Sequence, residues 1–307
     1  MKKKLSEGRK MWMSVMAIFL IYATIFILFE DYDRKFIMPF EEVSDWHLLL
    51  FSLVVMAGLA LLLHRYARRM DQRISREQMA RQNEMRRQLT QNIAHELKTP
   101  VASILGYTET ILYNPDIGQA TQLQFIRRTH DQALRLTSLL HDISTLNRMD
   151  YAPHMLNMER VELSALVADI IEETRLAAET KQMTVNNYLP EHIHINGNWG
   201  LIYSIFRNLM DNAINYAGPD TTVSISAREQ QDHWAFCFSD NGSGVPDEHL
   251  PRLFERFYRI DKGRSRALGG TGLGLAIVKN AVQLHGGSIA AGNAAGGGLC
   301  FNFTLKK

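Results

Sequence analysis

Asn92-Ile93-Ala94-His95-Glu96-Leu97-Lys98-Thr99-Pro100 sets a histidine beside a carboxylate and one helical turn before a hydroxyl. Ile93, Leu97, Val101 and Ile104 follow a 4-4-3 spacing, which at about 100° per residue puts them on one stripe. His95 then projects roughly 165° from the centre of that stripe, with Thr99 about 40° from His95. A histidine aimed at water with an acid beside it can act as a nucleophile. A zinc protease is excluded, because His95-Glu96-Leu97-Lys98-Thr99 lacks the second histidine of HExxH.

On the amino-terminal side lie two apolar runs, Met11–Phe29 and Leu48–Leu63. At about 1.5 Å per residue the first can cross about 30 Å of hydrocarbon, and the second is slightly short. Lys2, Lys3, Lys4, Arg9 and Lys10 precede the first run, and Arg65, Arg68 and Arg69 follow the second. Between them the acids Glu30, Asp31, Asp33, Glu41, Glu42 and Asp45 outnumber Arg34 and Lys35. This bias predicts a cytoplasmic amino terminus at 1–10, spans at 11–29 and 47–64, an outer loop at 30–46 and a cytoplasmic remainder. A cleaved signal peptide fits less well, since no small-x-small site follows and a second apolar run does. The outer loop is too short for a folded sensor domain, which needs more than ~40 residues.

Residues 65–84 read as an arginine-rich connecting helix, facing anionic lipid or simply solvated. The helix is expected to run through His95 to about Tyr113, where Asn114-Pro115-Asp116-Ile117-Gly118 breaks it. A second helix carries Ile126, Ala133, Leu136, Leu140 and Ile143 as a heptad seam. The hairpin, 85–150, buries only part of its apolar face alone. Two copies close a four-helix bundle, which predicts a homodimer; the alternative packs the hairpin on the chain's own carboxy-terminal domain.

From about Met158 strands and helices alternate. Helices are expected at Leu163–Thr180, Gly200–Ala217 and Leu273–Leu284. Strands are expected at Met183–Leu189, His192–Ile195, Thr222–Ala227, Trp234–Ser239, Gly287–Ala291 and Leu299–Leu305. The pattern predicts an α+β sandwich over 158–307, with helices on one face of a mixed sheet. Cys237 and Cys300, the only cysteines, read as two buried strand residues ahead of a disulfide or metal pair. A net charge of +2 argues against a dedicated nucleic-acid partner.

Asn208, Asn212 and Asn215 form a polar stripe on the Gly200–Ala217 helix, either a solvated face or amide oxygens for Mg²⁺. Asp240-Asn241-Gly242-Ser243-Gly244 follows a strand. It is either a tight turn or a site where a carboxylate accepts from an exocyclic amine such as adenine's. Gly269-Gly270-Thr271-Gly272-Leu273-Gly274 opens a helix and is either a linker or a phosphate cradle. It is not a Walker loop, for no Gly-Lys-Ser/Thr follows. Phe254–Arg259 and the basic Lys262, Arg264 and Arg266 read as a lid, or for the last three as a solvated loop.

Together these segments resemble the cytoplasmic half of transmembrane sensor histidine kinases of bacterial two-component systems, of the osmosensor and phosphate-regulon type. The resemblance covers about Glu84 to Leu305. His95–Pro100 is similar to the H box, Asn208–Tyr216 to the N box, Asp240–Gly244 to the first glycine box, Leu253–Tyr258 to the F box and Gly270–Gly274 to the second glycine box. It implies a dimerisation hairpin followed by an ATP-binding domain of the histidine-kinase, gyrase and chaperone type, in the bacterial inner membrane. It implies that His95 takes the γ-phosphate of ATP and passes it to an aspartate of a response regulator. By the same resemblance Glu96 is the acid/base and Thr99 serves dephosphorylation of the regulator. Asn212 ligates Mg²⁺ with Asn208 in support, Asp240 reads adenine and Tyr216 stacks near it. Gly242, Gly244, Gly270, Thr271, Gly272, Leu273 and Gly274 line the nucleotide. Many members carry a basic residue where this chain has Asn215, leaving Arg259, Arg264 or Arg266 for the γ-phosphate. The competing readings are an ATPase of the chaperone, topoisomerase or mismatch-repair kind, which lacks such a hairpin, and a membrane-anchored scaffold, which would have lost box residues.

Overall fold

The computed structural model describes residues 44–261, 270–294 and 296–307, with Ile21 and Thr24; side chains at 44–52, 81, 82, 85, 86 and 153 fall outside it. The expected first span, most of the acidic loop, and Lys262, Arg264, Arg266 and Gly269 therefore lie outside the described residues. The described residues divide into two units at Arg86, the second being residues 87–307. Among the described residues no helix is long and apolar enough to cross a membrane.

Helix α1, Ser44–Tyr113, contains the run Leu48–Leu63 and ends at the expected break. Gly118, then α2 at Gln119–Tyr151, returns the chain, and Tyr107 stacks on Phe125 at 5.5 Å near the turn. The faces of α2 divide. Leu139, Leu146 and Met149 are buried in the core of the carboxy-terminal domain, whereas Ile126 and Leu140 of the heptad seam are 51% and 52% exposed. The alternative of packing on the chain's own domain therefore holds for one stripe; of the seam it half-buries Leu136 and Ile143 and leaves Ile126, Ala133 and Leu140 exposed.

The carboxy-terminal domain runs β1 Glu159–Glu162, α3 Leu163–Thr180, β2 Thr184–Tyr188, β3 His194–Gly197 and α4 Trp199–Tyr216. It continues with β4 Thr222–Glu229, β5 His233–Asp240, α5 Gly274–Leu284, β6 Ile289–Asn293 and β7 Leu299–Lys306. The main sheet has the order β2-β4-β5-β7-β6; β2 and β4 are parallel and the other pairs antiparallel. It is the mixed sheet expected. One strand was missed: β1 pairs with β3, but of its four residues only Val161 is buried, too little alternation to read.

Strand alternation points Phe236, Phe238, Phe301 and Phe303 inward, all at most 3% exposed. Phe206 of α4 meets Phe236 and Phe303 edge-on at 5.7 and 5.6 Å, a geometry that suits the ring quadrupoles. The junction of α4 and α5 is polar. Asn198 caps α4 by accepting from the Leu201 amide at 3.1 Å, and its own amide donates to His285 Nε2 at 3.0 Å. His285 Nδ1 lies 2.7 Å from the Ala281 carbonyl, so the ring is held neutral with its proton on Nδ1. An added Cβ at Gly197 would meet the His285 ring at 2.6 Å, which explains glycine there.

Burial pushes the His285 pKa below its ordinary 6.5. The unfolded chain then takes up the proton first, so the contribution is whole above about 6.5 and is lost as pH falls toward the folded value. The melting temperature should drop by about 2–4 °C between pH 7.5 and 5.5, followed by calorimetry. His285→Leu should be less stable at pH 7.5 and lack that share of the slope; an unchanged slope would refute the assignment.

Candidate active site

His95 is exposed on α1, and Glu96 beside it turns inward. Pro100, buried in the same helix, withholds the amide that would bond the Glu96 carbonyl and loosens the ladder one turn beyond His95. The Thr99 hydroxyl reaches back to the His95 carbonyl at 3.4 Å.

The hairpin meets the carboxy-terminal domain through three carboxylates. Glu96 Oε2 accepts from Arg259 Nη2 at 3.1 Å and lies 3.8 Å from Arg135 Nη2. The Glu96 and Arg259 side chains are 14% and 5% exposed. Asp142 Oδ2 accepts from the Thr271 hydroxyl at 2.8 Å. Asp150 pairs with Arg256 at 2.8 Å and accepts from Asn280 at 3.4 Å. Burial raises the Asp142 pKa, opposed by the Thr271 hydrogen bond and the charge of His141.

Between hairpin and domain opens a cleft of ≈ 750 Å³. Asn208, Asn212, Asn215 and Tyr216 of α4 line it, as do Gly270, Thr271, Gly272 and Gly274, which the sequence placed at one ligand. Asp142 and His141 complete it from the hairpin side. Asn208 Nδ2 donates to the Ser204 carbonyl at 2.7 Å, and its Oδ1 would meet a Cβ at Gly274 at 2.5 Å. The Asn212 amide has no partner among the described residues and faces the cleft.

The phosphate-type loop is strained against the F-box segment. Gly272 has φ +73°, and Phe257, at φ +63°, sits where a bulky residue rarely goes. The Phe257 amide donates to the Gly272 carbonyl at 2.7 Å. Strain of this kind persists where surrounding structure enforces it, often at ligand sites. Arg259 Nε lies beside Gly272, 3.1 Å from where a Cβ would stand, and is buried with no acceptor among the described residues. A buried, unsatisfied guanidinium N–H next to a glycine loop fits an anion such as a phosphate.

Asp240, Gly242 and Gly244 form a second cluster that does not line this cleft. Asp240 is 8% exposed, and its Oδ1 accepts from the amides of Gly242 and Leu299 at 2.9 and 3.2 Å. A side chain at Gly242 would strike the Ala217 carbonyl, directly after Tyr216. Leu273, expected at the nucleotide, is fully buried core, and only its backbone faces the loop, its amide donating to Thr271 Oγ1 at 3.2 Å. Arg259, expected at the phosphates, is engaged by Glu96 here. Among the described residues no group of three or more His, Cys, Asp or Glu is placed to hold a metal ion. The donors present, uncharged Asn212 and Asn208, suit a Mg²⁺ ion whose remaining ligands are phosphate oxygens and water.

Sequence reasoning missed Asp142, Asp150 and Arg135. Asp142 had a signal: it interrupts the stripe Leu139, Leu146, Met149, and an acid on an apolar helix face asks for a partner.

Residues 85–152 match the family of His Kinase A (phospho-acceptor) domains. Residues 197–307 match the family of histidine kinase-, DNA gyrase B-, and HSP90-like ATPases. The chain is 33% identical over 228 residues to the sensor-like histidine kinase SenX3 of Mycolicibacterium smegmatis, covering 74% of this chain and 59% of that one. It is 33% identical over 220 residues to the phosphate regulon sensor protein PhoR of Pseudomonas aeruginosa, covering 71% and 49%. The chain thus spans about half the length of the curated relatives it matches. The fold is that of the histidine kinase ThkA, whose crystal structure is a complex with the response regulator protein TrrA (TM-score 0.58, 19% identity, 72% of this chain and 61% of that one). Carrying both domains, in the order phospho-acceptor then ATPase, the chain belongs to the sensor histidine kinases of two-component systems.

Proposed function

We propose that this chain is a membrane-bound kinase that phosphorylates His95 from Mg-ATP, transfers the phosphoryl group to an aspartate of a response regulator, and also dephosphorylates that regulator. The observation that carries this reading is the Glu96–Arg259 pair. It ties the carboxylate next to the exposed imidazole to the edge of the nucleotide loop.

Chemically, a ring nitrogen of neutral His95 attacks the γ-phosphorus, the bond to the bridging oxygen breaks, and ADP leaves. The imidazole proton passes to Glu96. Glu96 can serve only when Oε2 is released from Arg259 and Arg135, and Arg259 is then available to the γ-phosphate. Asn212, with Asn208 beside it, is the expected Mg²⁺ ligand, and the ion when bound neutralises charge on the phosphates. Asp240 reads adenine with Tyr216 alongside. Gly242, Gly244 and the loop Gly270–Gly274 let the nucleotide approach the backbone. Thr99 orients the water that removes phosphate from the regulator.

The exposed seam residues Ile126, Ala133 and Leu140, with Leu136 and Ile143 half-buried beside them, support a homodimer closed as a four-helix bundle. The regulator would dock where His95 is exposed on α1. Spans at 11–29 and 47–64 with both termini cytoplasmic follow from the charge bias, and Leu53, Val54, Met56 and Leu61 are exposed apolar residues of α1.

His95→Gln should abolish the acid-labile, base-stable phosphoprotein formed with radiolabelled ATP; full labelling of the variant rejects the reading. Asn212→Ala should lower nucleotide turnover by at least about 10²-fold with the melting temperature unchanged. A collapse in stability would make Asn212 a structural residue instead. The Asp150–Arg256 pair, about a quarter to a third exposed, contributes up to about 1 kcal/mol. Asp150→Ala should therefore speed autophosphorylation up to about fivefold, and an unchanged or slower rate would show that docking does not restrain the kinase.

A further inference from the structure

The chain has two cysteines in 307 residues, and the fold brings them together. Cys237 lies on β5 and Cys300 on β7, both half-buried and both reduced. They stand on the outer face of the sheet, since the alternate residues Phe236, Phe238, Leu299 and Phe301 fill the core. The strand register sets Cys237 opposite Asn302 and Cys300 opposite Ser239, so the two are diagonal neighbours. Their sulfurs are 3.3 Å apart.

We propose that Cys237 and Cys300 are a redox modification site: a hydroperoxide converts them to a reversible disulfide that weakens nucleotide binding at Asp240. The second half rests on the nucleotide reading above. The Cys237 thiol attacks one oxygen of hydrogen peroxide, the O–O bond breaks, and the departing hydroxide takes the thiol proton and leaves as water, giving a sulfenic acid at Cys237. The Cys300 sulfur attacks the sulfenic sulfur, the S–S bond forms, and the hydroxyl departs with the Cys300 proton as a second water. Two thiols are oxidised and one peroxide is reduced. Burial and the hydrogen bond with Cys237 push the Cys300 thiol up to about 12, so Cys300 serves as the resolving thiol in this scheme.

A disulfide requires the sulfurs to close to about 2.05 Å, drawing β5 and β7 together by about an ångström. Asp240 ends β5, three residues after Cys237. Leu299, whose amide holds Asp240 Oδ1 at 3.2 Å, immediately precedes Cys300. Gly298 packs its α-carbon against the Asp240 carbonyl so closely that a side chain would not fit. In a close-packed sheet this displacement passes directly to the Asp240 carboxylate.

The test uses the full chain in detergent micelles, titrated with hydrogen peroxide and trapped with an alkylating agent. Intact mass should fall by two hydrogens, and peptide mapping should recover the Cys237–Cys300 link within one chain. ATP affinity should weaken roughly tenfold, the scale of one disturbed hydrogen bond to a charged group, and return with dithiothreitol. Cys237→Ser and Cys300→Ala should each bind ATP like the reduced chain and ignore peroxide. Sulfinic acids, links between chains, or a disulfide that leaves ATP affinity unchanged would each overturn the proposal. A reduced chain that fails to bind ATP would sink the nucleotide reading and the regulatory half with it, while the disulfide itself is still decided by mass.

Discussion

The ion pair between Glu96 and Arg259 is the contact on which the described arrangement depends. Both side chains are nearly out of water, at 14% and 5% exposed. Removing one partner of such a pair leaves a buried charge and costs about 3–5 kcal/mol, so neither group is given up without a replacement. For Arg259 an adequate replacement is a phosphate, which its planar fork fits as well as it fits a carboxylate. For Glu96 it is Arg135, already 3.8 Å away on the other helix of the hairpin. On the proposed reading, a nucleotide that recruited Arg259 would free the ATP-binding domain without stranding Glu96, and by linkage a released hairpin would favour the nucleotide to the same degree.

The strain in the loop follows from the same contact. Arg259 is two residues past Phe257, and Phe257 holds its left-handed backbone because its amide is fixed to Gly272 at 2.7 Å. The arginine is aimed by a backbone that only packing enforces. Gly272 must be glycine both for its own φ and because Phe257 and Arg259 occupy the space of a Cβ. The glycine box is therefore a backbone joint between lid and helix as much as a cradle.

Most of the nucleotide domain was legible because its elements carry strong local signals. Strict alternation through Trp234, Phe236 and Phe238 marks β5, and the spacing of Ile202, Ile205, Phe206 and Leu209 marks α4. The residues of the N box and of the second glycine box indeed meet in one cleft. What stayed hidden was non-local or faint. β1 has a single buried side chain. Arg259 meets Glu96, and no local pattern encodes a partner 163 residues away. Leu273 looked like a ligand residue through its neighbours, yet its side chain is needed by the core.

The hairpin itself was read correctly from its sequence, but dimerisation and docking were weighed as alternatives for one helix, and they use different residues. Of the seam, Ile126, Ala133 and Leu140 lie exposed on one face of α2 and the stripe Leu139, Leu146 and Met149 is buried on another, while Leu136 and Ile143 are half-buried between them, so dimerisation and docking share only a margin of the helix. They differ in reversibility. The exposed seam is apolar and has nothing to oppose its burial. The docking stripe contains Asp142, whose raised pKa records that burial disfavours its charged form. That carboxylate works against the very contact its apolar neighbours favour, and the Thr271 hydroxyl and the charge of His141 compensate it in part. An interface built this way sits near balance, which is what a nucleotide domain must have if it is to leave its resting place and reach a histidine.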